Sequence, residues 1–183
     1  KWSYSTNGGT TWETSIEVPA SIRSGYPVLQ LLNGAAVIAN HNTEISGQLN
    51  INLYPDLAPL VGVFNPVSHP SPAPFGIWPQ IAVYNNGNVG ILGRRNVSGN
   101  GPETLYYSFY NGSTLSAWTP VYFTTNNYQA TVGSNMRFHL ATNGNGRVTM
   151  IIAPVLQNDT LGNSRVYART STDNGSPWGP EEI

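Results

Sequence analysis

Two octapeptides near the ends of this chain, Ser5-Thr6-Asn7-Gly8-Gly9-Thr10-Thr11-Trp12 and Ser171-Thr172-Asp173-Asn174-Gly175-Ser176-Pro177-Trp178, fit one pattern, S-x-[DN]-x-G-x-x-W. The pattern has a physical reading as a hairpin corner. The Asn or Asp side chain hydrogen-bonds backbone groups inside the turn, and Gly supplies a positive φ that other residues resist. The Ser hydroxyl closes a second local bond, and the Trp ring folds back as an apolar lid. Such a corner shapes a turn and performs no chemistry.

Between the two corners an apolar run, a small turn and a second apolar run recur: Val28 to Ile38 around Asn33-Gly34, Ile81 to Leu92 around Asn86-Gly87, and Phe138 to Ile151 around Asn143 to Gly146. Each reads as a β-hairpin on an Asn-Gly turn. An alternating strand follows each, at Leu49 to Tyr54, Leu105 to Phe109 and Arg165 to Thr170. The third leads into the intact second corner. The second leads into a remnant, Ser108-Phe109-Tyr110-Asn111-Gly112, whose Trp118 comes late. The first ends in Tyr54-Pro55-Asp56 with no Trp, so its corner is lost. The period is roughly 53 to 60 residues, the size of a four-stranded propeller blade with one long loop.

The octapeptides resemble the Asp-box of sialidase-like (BNR repeat) β-propellers, in which degenerate boxes stand among intact ones. The expected fold is therefore all-β: an Asp-box β-propeller of about three four-stranded blades plus an outer hairpin. The expected organisation is one partial propeller over 1–183, with an outer hairpin of a first blade at 1–24 and blades at 25–66, 78–123 and 136–183. The family closes with six or more blades, and an open arc leaves apolar faces and unpaired edges. A larger six- or seven-bladed propeller is expected, completed by the rest of the same protein or by other copies. The stretch Phe64 to Ile77, with Pro66, Pro70, Pro72 and Pro74, reads as a stiff loop between blades.

Composition agrees with a sheet protein at or outside the cell surface. Only 9% of residues are charged against 39% hydrophobic, well below the roughly 25% charge of an average domain. Asn, Ser, Thr and Gly supply the polarity, which suits turns and sheets. A formal net charge of −1 gives no footprint for nucleic acid. No apolar run approaches the roughly 18 residues of a membrane helix, so membrane insertion is not expected. With no cysteine, there is neither a disulfide framework nor a thiolate zinc site.

In a propeller, ligands meet the central funnel, reached by the starts of the innermost strands and the ends of the second ones. Aligning the Asn-Gly turns places Gly25, Trp78 and Arg137 at inner-strand starts and His41, Arg94 and Ala153 at second-strand ends. The candidate ligand-binding residues are Arg94, Trp78, Arg137 and His41. The segment Pro79 to Asn96 is similar to the sialidase stretch in which a Glu begins the inner strand and a carboxylate-binding Arg ends the next. Arg94 stands where that arginine would, and Trp78 replaces the glutamate. A guanidinium offers paired donors to a carboxylate. Flat rings at Trp78, Tyr26 and Phe138 suit the apolar face of a sugar, with packing between blades as the alternative use.

Paired carboxylates for acid/base chemistry are scarce. Glu44, Asp56, Glu103 and Asp159 lie in loops without family spacing, and Glu44, after His41, is the least implausible catalytic choice. His41, His69 and His139 have no metal-ligand spacing, and no phosphate loop or acidic calcium loop is present. No cofactor and no metal are expected. The leading expectation is an extracellular or cell-surface propeller for non-catalytic glycan recognition or adhesion. The alternatives are a sialidase-like exo-glycosidase with part of its active site elsewhere, and a structural module of a surface assembly.

Overall fold

A computed structural model describes residues 1–18, 24–43, 49–67, 76–95, 105–121, 137–153 and 166–183. Every regular element among them is a strand. In chain order these are β1 Gly25–Leu32, β2 Ala35–Asn42, β3 Asn50–Pro55, β4 Gly76–Val83, β5 Val89–Arg95, β6 Leu105–Tyr110, β7 Thr119–Val121, β8 Arg137–Thr142, β9 Val148–Ala153, β10 Tyr167–Ser171 and β11 Glu181–Glu182. They form three antiparallel meanders ordered β1-β2-β3, β4-β5-β6-β7 and β8-β9-β10-β11. Ahead of them Trp2 bridges Ile16 in a short N-terminal hairpin that carries the first corner.

The sheets stack face to face, which explains the apolar runs. All eight residues of β2 are buried, because both of its faces are covered. Ala36 and Ile38 meet Trp2, Tyr54 and Phe64 on the side of the N-terminal hairpin. Val37 and Ala39 meet Ile81, Val89 and Ile91 of the second sheet on the other. The second sheet repeats the arrangement, with Ala82, Tyr84, Leu92 and Tyr107 packed on Leu140, Met150 and Ile152 of the third. Strand alternation sends successive side chains to opposite faces, so a sheet buried on both faces loses the usual polar stripe. These are consecutive blades of a partial β-propeller, as the repeat implies.

The first inner hairpin turns on Asn33 and Gly34, at φ 51° and 82°, the pair of left-handed residues that a two-residue hairpin requires. The other two hairpins have five-residue connections, between Val83 and Val89 and between Thr142 and Val148. In the first sheet, Asp56 takes over the duty of the lost corner. Its carboxylate accepts from the Gly62 and Val63 N–H groups at 2.9 and 3.0 Å. The remnant corner keeps its own closure, with Asn111 Oδ1 accepting from Ser113 and Thr114 N–H and Tyr110 bridging Leu115. Two details of the proline-rich stretch differ from expectation. Phe64 is buried against Trp2, and β4 begins at Gly76; the intervening 68–75 lie outside the described residues.

Candidate functional site

The starts of β1 and β4 are irregular in the same way. In β1, Gly25 pairs with His41 and Val28 with Ala39, so Tyr26 and Pro27 together oppose Asn40. In β4, Ile77 pairs with Arg94 and Gln80 with Leu92, so Trp78 and Pro79 together oppose Gly93. Each is a β-bulge built on an aromatic-proline pair, and the proline, having no N–H, suits a position where the ladder is broken. The sequence alignment set Trp78 level with Gly25. The pairing sets it level with Tyr26, one residue further on, because the two bulges are alike but the turns are not: Leu32 pairs with Ala35 across Asn33-Gly34, whereas the longer connection from Val83 to Val89 holds an extra residue on the β4 side of its turn glycine. Second-strand ends are unaffected: His41 and Arg94 hold equivalent places opposite Gly25 and Ile77, and Ala153 stands opposite Arg137.

Tyr26 and Trp78 share a second property. Their φ angles are 50° and 55°, in the left-handed region that bulky side chains rarely enter. Such a residue costs on the order of 1–3 kcal/mol and persists only where its surroundings hold it there. The consequence is a shared cluster of rings. Tyr26 stacks on His41 with centroids 5.4 Å apart and planes at 25°, and it meets Trp78 at 5.8 Å. The Arg94 guanidinium carbon lies 4.8 Å over the Trp78 ring, a cation–π contact. Tyr26 remains 65% exposed.

His41 ties the cluster together. The bulge releases the Trp78 N–H from its own ladder, and that N–H donates to His41 Nδ1 at 3.2 Å, joining the first two sheets. A neutral imidazole with Nδ1 as acceptor carries its proton on Nε2. Burial lowers the pKa of His41 below 6.5, so the neutral ring persists at neutral pH. Gly25 is required here, since a Cβ at that position would come within 2.8 Å of His41 Nε2. Gly93 is required for the same reason on the facing strand, where a Cβ would run into Ile51.

Three of the four candidate residues therefore come together, Trp78, Arg94 and His41. Arg137 begins β8 in the third sheet, and its side chain lies outside the described residues, as does that of Arg95. Tyr26 completes the cluster, and its signal was the repeated aromatic-proline pair Tyr26-Pro27 and Trp78-Pro79. Phe138 packs into the core between the second and third sheets instead. On that side the inner strands are joined by His139 Nδ1 and Gln80 Oε1, 3.0 Å apart.

The described carboxylates stand elsewhere. Asp56 caps a loop, Asp173 belongs to the second corner, Glu13 and Glu17 flank the N-terminal hairpin, and Glu181 and Glu182 form the outermost strand. Glu44, Glu103, Asp159 and His69 lie outside the described residues. Among the described residues, no three His, Cys, Asp or Glu side chains gather to hold a metal ion.

No protein-family model matches the chain, and no curated protein sequence matches it. Solved structures do. The endo-arabinase from Bacteroides thetaiotaomicron VPI-5482 is 12% identical over 93% of this chain and 67% of its own, with a TM-score of 0.56. A family PL25 ulvan lyase is 13% identical over 86% of this chain and 41% of its own, at 0.54. A thermostable family-43 glycoside hydrolase is 12% identical over 87% of this chain and 54% of its own, at 0.52. This chain thus spans between 41% and 67% of their lengths. The likeness is one of fold, to propellers that act on carbohydrate, and none of these three is a sialidase.

Proposed function

We propose that the chain is the saccharide-recognising part of an extracellular or cell-surface β-propeller, with the Tyr26, Trp78, His41 and Arg94 cluster as its ligand platform. One observation carries this reading: two bulky aromatics hold left-handed backbone at equivalent bulges, and their rings meet beside a buried histidine and an arginine. Backbone strain of this kind collects where a side chain must be aimed. A sugar presents an apolar face to such rings and hydroxyls to the neighbouring donors. The solved propellers of similar fold are carbohydrate-active enzymes, which favours a glycan over other ligand classes. Among the described residues the platform offers rings, a guanidinium and an imidazole, groups that suit binding. Further blades of the same protein or other copies complete the ring.

A second reading has one observation in its favour. Arg94 sits where a sialidase-like enzyme would place a carboxylate-binding arginine, and Glu44 follows the His41 strand closely in sequence. An exo-glycosidase would draw its remaining groups from other blades. A glycan array probed with the protein, together with fluorogenic sialoside and arabinoside assays, separates the two. The binding reading expects retention of a defined glycan set, lost at least tenfold in Tyr26→Ala and Trp78→Ala, without turnover. Turnover that disappears in Arg94→Ala overturns it.

A further inference from the structure

Where an intact corner would stand in the first sheet, the chain runs Leu57-Ala58-Pro59-Leu60-Val61-Gly62-Val63. The segment that follows returns along β3, with the Asn65 N–H donating to the Pro55 carbonyl and the Val67 N–H to the Leu53 carbonyl. The residues between are therefore the outer turn of this sheet. Leu57 is 62% exposed, and Leu60, Val61 and Val63 are each about half exposed. Pro59, Leu60 and Val61 are exposed in succession. A sheet face would expose alternate residues, so this is a projecting tip and not a face that another sheet covers. The tip carries no charge. Asp56 is buried at its base, and from Leu57 to Gly93 the chain has no Asp, Glu, Lys or Arg.

The tip is held firmly, and its backbone is paired from within. The Asp56 carboxylate takes the Gly62 and Val63 N–H groups, the Leu57 N–H donates to the Val63 carbonyl at 2.9 Å, and the Val61 N–H donates to the Ala58 carbonyl at 3.3 Å. Pro59 has no N–H to pair. Gly62, at φ 70°, is pressed against Ile16 and Trp2, where a Cβ would collide, and this ties the base of the tip to the N-terminal hairpin. Pro59 lies beside the Asn33-Gly34 turn. Leu60 stands at φ 61°, in the same left-handed region as Tyr26 and Trp78. That strain serves no core packing, since it holds a leucine side chain out in water.

We infer that this tip is a peripheral membrane contact, which dips its leucines and valines into the acyl boundary of a phospholipid bilayer. Hydrocarbon offers no hydrogen bonds, so a segment that enters it must pair its own backbone groups, as the Asp56 cap and the two backbone bonds do here. An uncharged tip also enters without stripping water from a charge. A protein partner fits less well. The four side chains expose on the order of a few hundred Å², below the roughly 800 Å² per partner of a stable interface. They hold about as many carbons as one myristoyl chain, which binds membranes reversibly at about 10⁴ M⁻¹. A tip that reaches only the acyl boundary binds more weakly than that. Its place in the fold gives the contact a direction. Pro59 lies at the Asn33-Gly34 end of β1 and Tyr26 near the other, about 20 Å away along the strand. A protein docked by the tip therefore holds the ring cluster away from the bilayer, and this inference does not depend on what that cluster binds.

The test uses unilamellar phosphatidylcholine vesicles titrated into the 183-residue protein. The chain has no cysteine, so Leu60→Cys, and Ser113→Cys on the exposed remnant corner, each give a single attachment point for an environment-sensitive fluorophore. The label at position 60 is expected to shift to shorter wavelength and to be quenched by brominated lipid, while the label at position 113 does neither. Half-saturation is expected at roughly millimolar lipid. Adding about 0.5 M NaCl is expected to leave it unchanged, because no charge takes part. In the unlabelled protein, vesicle co-sedimentation is expected to weaken at least tenfold in Val61→Asp and in Leu60→Gly. The second variant separates lipid contact from folding. Glycine tolerates φ 61°, so the urea midpoint of Leu60→Gly is expected to rise while its vesicle binding falls. Absence of vesicle binding, binding indifferent to both substitutions, or an equal response from both labels overturns the assignment. So does binding abolished by salt, which would place the attraction in charged groups, or self-association abolished by Val61→Asp, which would make a second copy the occupant.

Discussion

The two corner octapeptides share a pattern and a local closure, yet the protein uses them differently. In the first, Ser5 Oγ accepts from the Gly9 N–H at 2.8 Å and Asn7 Oδ1 from the Thr11 N–H at 3.0 Å. In the second, Ser171 Oγ accepts from the Gly175 N–H at 3.0 Å. Beyond these bonds they diverge. Trp12 stands 65% exposed, and a Cβ on Gly9 would touch nothing but the edge of that ring. Trp178 leaves its own hairpin and meets Tyr107 of the second sheet edge to face at 5.2 Å, and Gly175 sits against the same tyrosine ring. Tyr107 donates to the Asn174 carbonyl at 2.9 Å and is itself within 3.1 Å of the Tyr84 hydroxyl. One motif thus closes a free turn and also clamps two sheets, and the neighbouring surface decides which.

The comparison is sharpest at the glycines. Gly175→Ala is expected to cost about 3 kcal/mol or more, because the methyl adds a collision with Tyr107 to a strained φ of 94°. Gly9→Ala, at φ 88° in open space, is expected to cost about 1–2 kcal/mol. Urea denaturation of the pair measures both, and equal losses would break the distinction. The tryptophans come next. Trp178→Ala is expected to lose about 2–3 kcal/mol of stability and Trp12→Ala less than about 0.5. Removing one hydroxyl is a finer probe: Tyr107→Phe is expected to cost about 1–2 kcal/mol by leaving the Asn174 carbonyl without its donor.

The smallest effect contrasts the joints on either side of the second sheet. Burial pushes the Tyr107 hydroxyl far above its ordinary range, so the joint at the second corner does not titrate. The His41 joint does. Its folded pKa lies below the unfolded 6.5, so its contribution is complete above pH 6.5 and declines as pH falls toward the folded value. Denaturation midpoints between pH 7.5 and 5 are expected to drop in the native protein and to drop less in His41→Gln. An equal drop in both would remove His41 from the account.

Much of the architecture was legible because its signals are local. Asn33-Gly34 requires positive φ twice, and the flanking apolar runs need two covered faces, so three hairpins and three stacked sheets followed from the repeat. The candidate site was legible less evenly. His41 and Arg94 fell at matching strand ends because no irregularity lies between them and the turns. Trp78 was one position out of register, since the connection after β4 is longer than the Asn33-Gly34 turn and holds its extra residue on the β4 side of the turn glycine. Tyr26 belonged to the cluster as much as Trp78 did, and the recurrence of an aromatic before proline was its trace.

The sequence by itself determined the turns, the strand order and the repeat, since those depend on which φ values a residue tolerates and which faces must leave water. It also determined that each corner would close through its Ser and Gly, a matter of atoms four residues apart. Only the tertiary structure decided that Trp178 would anchor a neighbouring sheet while Trp12 would not, and that Tyr26, His41, Trp78 and Arg94 would meet. Those outcomes depend on the distance and register between separate sheets, which are fixed by packing on both faces of each sheet and by two bulges, and neither quantity is encoded within any single segment.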